Sequence, residues 1–380
     1  MPGIYIHIPF CKQKCHYCNF FSLATTRYRD EFIRALLKEI DLKNNYLENQ
    51  HITTIYFGGG TPSLLSTDEI NLILDRLARH FRIDEKAEIT FEANPDDITP
   101  EKARQLMETK VNRISLGVQS FHNDDLVYLN RVHNGVQAKK SIDMLREAGF
   151  TSLTIDLIYG FPTLTEQKWK ENLSVFFSLG LKHLSAYALT VENKTALAYL
   201  IRKKKVEPVN EEDQVKHFRI LTNMMEEQGF VHYEISNFAR PGHYSRHNSI
   251  YWLGGHYLGL GPSAHSFNGK ERQWNISSLS KYIGLKDITS VVEETEYLTP
   301  VQQFNEYVMT SLRTVWGCDL EHIENVFGKK VSSGLESRAS IFIEQGRITK
   351  EGSKLFLTSE GKLFADGITS ELFLDEGSGL

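Results

Sequence analysis

The chain has 380 residues, 41% of them apolar and 24% charged, with a net charge of −5. That length can bury one large core and carry an appendage, and these fractions exclude wholesale disorder. The acid excess argues against nucleic acid as the main partner, and no apolar run reaches the length of a membrane span.

The N-terminus lacks the basic and apolar regions of a signal peptide, so a cytoplasmic location is expected. In a reducing cytoplasm a cysteine cluster points to a metal rather than a disulfide. Such a cluster lies at the start. Residues Tyr5 to Phe20 open as a short alternating strand and run into a loop carrying Cys11, Cys15 and Cys18, spaced C-x3-C-x2-C. Three clustered cysteines cannot pair evenly as disulfides. Their thiolates suit a soft metal centre. It is either a structural zinc site closed by His16 or a cluster with one position left open.

A helix follows, with Phe32, Ile33, Leu36, Leu37 and Ile40 on one face. Thr53–Phe57 reads as a strand that runs into Gly58-Gly59-Gly60-Thr61-Pro62. The next helix is capped near Ser66 or Thr67 and buries Ile70, Ile73, Leu74, Leu77 and Phe81. The unit then repeats. Strands are predicted at Glu88–Glu92, Asn112–Gly117, Ser152–Leu157 and His183–Leu189. Helices are predicted at Pro100–Thr109, in a region ending at Gly149, at Thr165–Leu179 and at Glu211–Gln228. Such alternation gives a parallel sheet, wound open or as a barrel. The unusual residues all fall at strand C-terminal ends, which converge on one mouth in a barrel. The expected fold is therefore α/β, a partial (βα)6 TIM-like barrel with a small C-terminal helical, winged-helix-like domain.

The predicted boundaries are 1–235 for the barrel, 236–285 for a segment rich in histidine and aromatics, and 286–380 for the helical domain. In that last domain Phe304, Val308 and Leu312 share a helix face, Leu335, Ala339, Phe342 and Ile343 share another, and Ile348 and Lys354–Thr358 suggest a two-stranded ribbon. No basic stripe is visible there, so it reads as a lid or docking surface rather than a DNA-binding element. Cys318 reads as a small buried residue, and Glu376–Leu380 as a loose end.

Several strand ends carry residues suited to a ligand. The triple glycine lets a ligand approach backbone N–H and C=O groups. Glu92, in Glu-Ala-Asn-Pro, offers a carboxylate for ribose hydroxyls. Gln119 and Ser120 follow the fourth strand, and Arg131 can pair with a ligand carboxylate. Asp156 ends an otherwise apolar strand, where an acid needs a partner.

These motifs, in this order, resemble the radical S-adenosylmethionine superfamily and, more narrowly, the oxygen-independent coproporphyrinogen III oxidase-like family. The resemblance implies that Cys11, Cys15 and Cys18 ligate a [4Fe–4S] cluster, and that Tyr5, Gly59, Glu92 and Tyr17 contact S-adenosylmethionine. A second such molecule would touch Gly60, Thr61, Gln119, Arg131, Asp156 and Ala188. Reductive cleavage of the sulfonium would give a 5′-deoxyadenosyl radical, with an electron donor for the cluster as a partner. Two departures count against porphyrinogen oxidation. Phe20 stands where the oxidising members carry a further cysteine, and the chain starts almost on its first strand, without their N-terminal extension. Arg246–Trp252 instead matches the His-Asn-x-x-Tyr-Trp motif of the HemW-type heme chaperones in the same family. By that resemblance His247 is an axial heme ligand, His256 and His265 are alternatives, and the heme passes to an acceptor protein. The competing expectations are a coproporphyrinogen III dehydrogenase and a zinc-stabilised structural or nucleic-acid module.

Overall fold

The computed structural model describes residues 2–48, 51–375 and 377. The predicted loose end lies mostly outside them. Six strands, β1 (Gly3–Ile8), β2 (Ile52–Gly59), β3 (Ile83–Ala93), β4 (Arg113–Gln119), β5 (Leu153–Tyr159) and β6 (His183–Ala188), lie side by side in sequence order. Every neighbouring pair among them is parallel. The connections carry α1 (Arg29–Leu42), α2 (Thr67–His80), α3 (Pro100–Met107), α4 (Asn123–Tyr128), α5 (Gly135–Ala148) and α6 (Glu166–Ser178).

Local chemistry sets these boundaries. The Ser66 hydroxyl and the Glu69 carboxylate form a reciprocal capping box that starts α2, and Ile70, Ile73, Leu74 and Leu77 on its inner face are buried. Burying each such side chain stabilises by roughly 1.5–3 kcal/mol relative to exposure. Asn134 and Gln137 cap α5 in the same way, and Gly149, at φ +112°, ends it. The helical region predicted to end at Gly149 is thus two helices, parted at Asn130, whose φ is +58°.

Two more helices, α7 (Ala196–Arg202) and α8 (Glu211–Glu227), follow β6; α7 was not expected. The sheet then grows at both edges. Strands β7 (Val231–Glu234) and β8 (Asn237–Ala239) add to β6, with β8 antiparallel to it. After α9 (Arg246–Trp252), β9 (Tyr257–Leu260) pairs parallel with the free side of β1. Then β10 (His265–Phe267), β11 (Glu271–Asn275) and β12 (Val292–Tyr297) continue antiparallel. The result is one open 12-stranded sheet in which β1 and β6 do not pair. A buried cluster pins the β11 side to α1: Glu39 accepts from Tyr282, Asn275 and the Gly261 N–H, while Lys43 bonds both Glu39 and Asn275.

The C-terminal region has its own core of Phe304, Val308, Leu312, Leu335, Ala339 and Leu355. Its helices Pro300–Leu312, Leu320–Phe327 and Lys329–Glu344 pack with a small sheet. The predicted ribbon becomes three-stranded there, because Cys318–Asp319 pairs with Lys354–Leu357. Cys318 is fully buried. Among the described residues no helix is long and apolar enough to cross a membrane.

Candidate functional site

The cysteine loop leaves the C-terminal end of β1 and returns on itself, with Cys11 N–H bonded to Leu23 O (2.9 Å) and Leu23 N–H to Pro9 O (2.8 Å). Phe10 anchors its root edge-on against Phe32. Its far side is held by the chain after α4. Asn130 Nδ2 donates to Lys14 O (2.9 Å), and Gln13 Nε2 donates to Asn130 O (3.1 Å). His16 Nδ1 lies 3.1 Å from Tyr128 O, and Leu197 N–H on α7 donates to His16 O. Among the described residues no three His, Cys, Asp or Glu side chains converge closely enough for a single metal ion.

The glycine turn at the end of β2 sits against this loop. A Cβ on Gly60 would fall 2.6 Å from Phe10 O and 3.0 Å from Cys11 Sγ, so no side chain fits between the two segments. Gly59 has φ +105°, and a Cβ there would meet the His7 ring at 2.7 Å. Thr61 and Ser22 hydroxyls bond the Cys11 thiol, although burial pushes that thiol, and that of Cys18, above the usual range.

Together these segments wall a cavity of about 520 Å³ at the C-terminal ends of the strands, a size typical of small-molecule sites (~300–1,000 Å³). Cys11, Cys15, Cys18 and Tyr17 line one side; Gly59, Gly60, Thr61 and Glu92 line the next. Gln119, Arg131, Asp156 and Ala188 complete it. Gln119 is held at φ +65°, a strained geometry for a residue with a side chain. Phe20 stands at the mouth, 66% exposed.

Two carboxyls in the cavity hold their protons unusually tightly. Burial raises Glu92 to about 8; hydrogen bonds from Tyr56 Oη (2.7 Å) and the Gly59 N–H oppose the rise, and the Asp156 charge adds to it. Burial raises Asp156 to about 6, against bonds from Ser185 and Ser115 (3.2 Å). Carboxyls perturbed by burial in a cleft mark a candidate binding site. Arg131 is the fixed cation. It donates to Asn94 Oδ1 (2.5 Å), Gly117 O (2.8 Å) and Cys15 Sγ (3.2 Å). A buried wall with one guanidinium, two carboxyls and open backbone suits a small zwitterion bearing hydroxyls.

Tyr5 and His247 are not on the cavity wall. Tyr5 lies one layer behind, its ring stacked on Tyr56 and its hydroxyl 3.2 Å from His7 Nδ1. His247, on α9, is 1% exposed. Its Nδ1 is 2.7 Å from Thr54 Oγ1, its Nε2 is 2.9 Å from Tyr251 Oη, and burial lowers it to about 3. Both ring nitrogens are thus engaged. Sequence reasoning missed Asn94, Ser115 and Asn130, which orient Arg131, Asp156 and the cysteine loop. The inward period of β4 could have found Ser115 and the Glu-Ala-Asn-Pro motif Asn94, whereas nothing local marks Asn130.

Residues 5–175 match the Radical SAM superfamily, and residues 298–364 match the HemN C-terminal domain. Heme chaperone HemW of Bacillus subtilis is 33% identical over 371 residues, covering 97% of this chain and 98% of that protein. Heme chaperone HemW of Escherichia coli is 35% identical over 69% of each chain. The solved structure of coproporphyrinogen III oxidase (HemN) from Escherichia coli, a radical SAM enzyme, superposes with TM-score 0.84 at 23% identity, covering 98% of this chain and 90% of that one. That likeness is one of fold.

Proposed function

The chain belongs to the HemW family of radical SAM proteins, and from that premise we propose that it is a heme chaperone that binds a [4Fe–4S] cluster, S-adenosylmethionine and heme and passes the heme to an acceptor protein. The observation that carries the reading is the meeting of three cysteines, the glycine turn and two proton-retaining carboxyls around one cavity.

The donor set fits a cluster. Cys11, Cys15 and Cys18 are free thiols lining one cavity, and three thiolates on a four-iron cluster would leave one iron for a small chelating ligand. Held by Cys11, Cys15 and Cys18, a cluster would supply the electron for cleaving the sulfonium, with an electron-donor protein as its source. The chain's own residues bind and orient. Arg131 offers a guanidinium to the ligand carboxylate, the backbone at Gly59 and Gly60 accepts close approach, and Glu92 accepts from ribose hydroxyls. Asp156, held by Ser115 and Ser185, serves a second amine or hydroxyl.

Phe20, exposed at the mouth, offers an apolar surface without a thiol, which favours heme handling over coproporphyrinogen oxidation. Heme ligation by His247 would require Thr54 or Tyr251 to release one nitrogen of the imidazole. Hemin titration of the anaerobically reconstituted protein tests the reading. Saturable binding and release to an apo-acceptor are expected, and absence of saturable binding would overturn it. Equal binding by His247→Ala would remove His247 as the ligand while leaving the chaperone reading intact.

A further inference from the structure

We propose that His247 and Tyr56 are positioning residues for Glu92, a strut through which α9 sets the geometry of the cofactor cavity. The proposal rests on the reading that Glu92 contacts S-adenosylmethionine.

The argument starts from what holds the Glu92 carboxylate. Tyr56 Oη donates to its Oε1 at 2.7 Å, and the Gly59 N–H is its other donor. Where that carboxylate sits therefore depends on where the Tyr56 ring sits. The ring packs on two others: Tyr5 at 6.1 Å and 28°, and His247 at 5.0 Å and 27°. His247 is itself fixed on both nitrogens, by Thr54 on β2 and Tyr251 one helical turn on. The start of α9 is tied to β3 as well, because Glu88 accepts from the backbone N–H groups of Arg246 (3.1 Å) and His247 (2.9 Å). Glu88 and Glu92 lie four residues apart on the same face of β3. One strand thus holds both ends of the strut, and Tyr56 cannot swing without displacing a buried ring. A buried carboxyl that must accept ligand hydroxyls gains from such placement, since its donors need no reorganisation on binding. On this account a histidine with no free nitrogen still bears directly on the cofactor site.

The groups facing Glu92 are Tyr56, Asp156, Tyr5, Tyr251, Tyr187 and the Gly59 backbone. Among the side chains, Tyr56 is the donor that favours its ionised form, so removing that hydroxyl moves the ionisation of Glu92 to higher pH. The test is S-adenosylmethionine binding to the reconstituted protein between pH 6 and 9, by equilibrium dialysis, with iron content and circular dichroism as checks on folding. Glu92→Gln weakens binding most. Tyr56→Phe weakens it roughly tenfold, the scale of a lost hydrogen bond to a charged group, and shifts the pH profile upward. His247→Ala does the same, and His247→Phe, which restores a flat ring, recovers most of the affinity. If Glu92→Gln weakens binding while Tyr56→Phe and His247→Ala leave affinity and pH profile unchanged, the strut is refuted and the Glu92 reading stands. If Glu92→Gln has no effect, both fall. Loss of hemin binding in His247→Ala with S-adenosylmethionine affinity intact would make His247 a ligand and not a strut.

Discussion

Replacing Glu92 with glutamine separates binding from stability, and the sign follows from its proton affinity. The carboxyl rises from an ordinary 4.5 to about 8 in the folded chain. The folded state therefore holds the proton more tightly than the unfolded one, and the associated stability is fully present below about pH 4.5. It erodes as pH rises and is gone above about 8. At ~1.4 kcal/mol per pH unit, the loss between about pH 5 and pH 8.5 is on the order of 4 kcal/mol, and half of that would still be readily measured. The assay is urea unfolding of the cluster-free protein under reductant at both pH values, wild type beside Glu92→Gln. The wild type should lose more stability than the variant over that interval, and the variant should be the more stable of the two at pH 8.5. Parallel curves for the two proteins would refute the claim that Glu92 is held uncharged for a ligand.

Other outcomes follow from single contacts. Lys43→Met leaves Glu39 buried without its cation and should cost roughly 3–5 kcal/mol in chemical unfolding; the Glu39→Gln/Lys43→Met double variant should recover much of it, and an unchanged midpoint in the single variant would contradict the network. Gly60→Ala puts a methyl 2.6 Å from Phe10 O and 3.0 Å from Cys11 Sγ, so reconstituted iron per chain should fall sharply while far-UV circular dichroism holds. Phe20→Ala, at an exposed position, should change stability by no more than about 0.5 kcal/mol but weaken hemin binding; equal hemin affinity would remove Phe20 from the heme surface.

The six parallel strands were legible because apolar strand and helix patterns alternate across joints of a few residues, and because α2 and α5 carry capping signals in sequence. The edge strands were not. They run three to six residues, and β8 and β10 are too short for an alternating pattern to register. Their pairing is also set by tertiary partners: β9 sits on β1 although 254 positions separate Gly3 from Tyr257. The cysteine loop, the glycine turn, Glu92, Gln119 and Asp156 could be placed at one mouth because strand ends in a parallel sheet point the same way. Depth within the sheet could not be read. Tyr5 shares the inward period of β1 and neighbours Glu92 across Gly58, yet it packs on Tyr56 and does not reach the cavity wall. His247 offered a motif, but its burial depends on Thr54, Tyr56 and Tyr251 closing around it, a fact of packing that no local pattern carries. Asn130 was invisible for the same reason, since its bonds reach a loop more than a hundred residues away.

The measurement closest to the central claim is anaerobic reconstitution followed by iron analysis and electron paramagnetic resonance of the reduced protein, with and without S-adenosylmethionine. The account predicts about four irons per chain and a spectrum that changes when S-adenosylmethionine occupies the iron that Cys11, Cys15 and Cys18 leave open. A colourless protein carrying one zinc, or a cluster whose spectrum ignores S-adenosylmethionine, would contradict it.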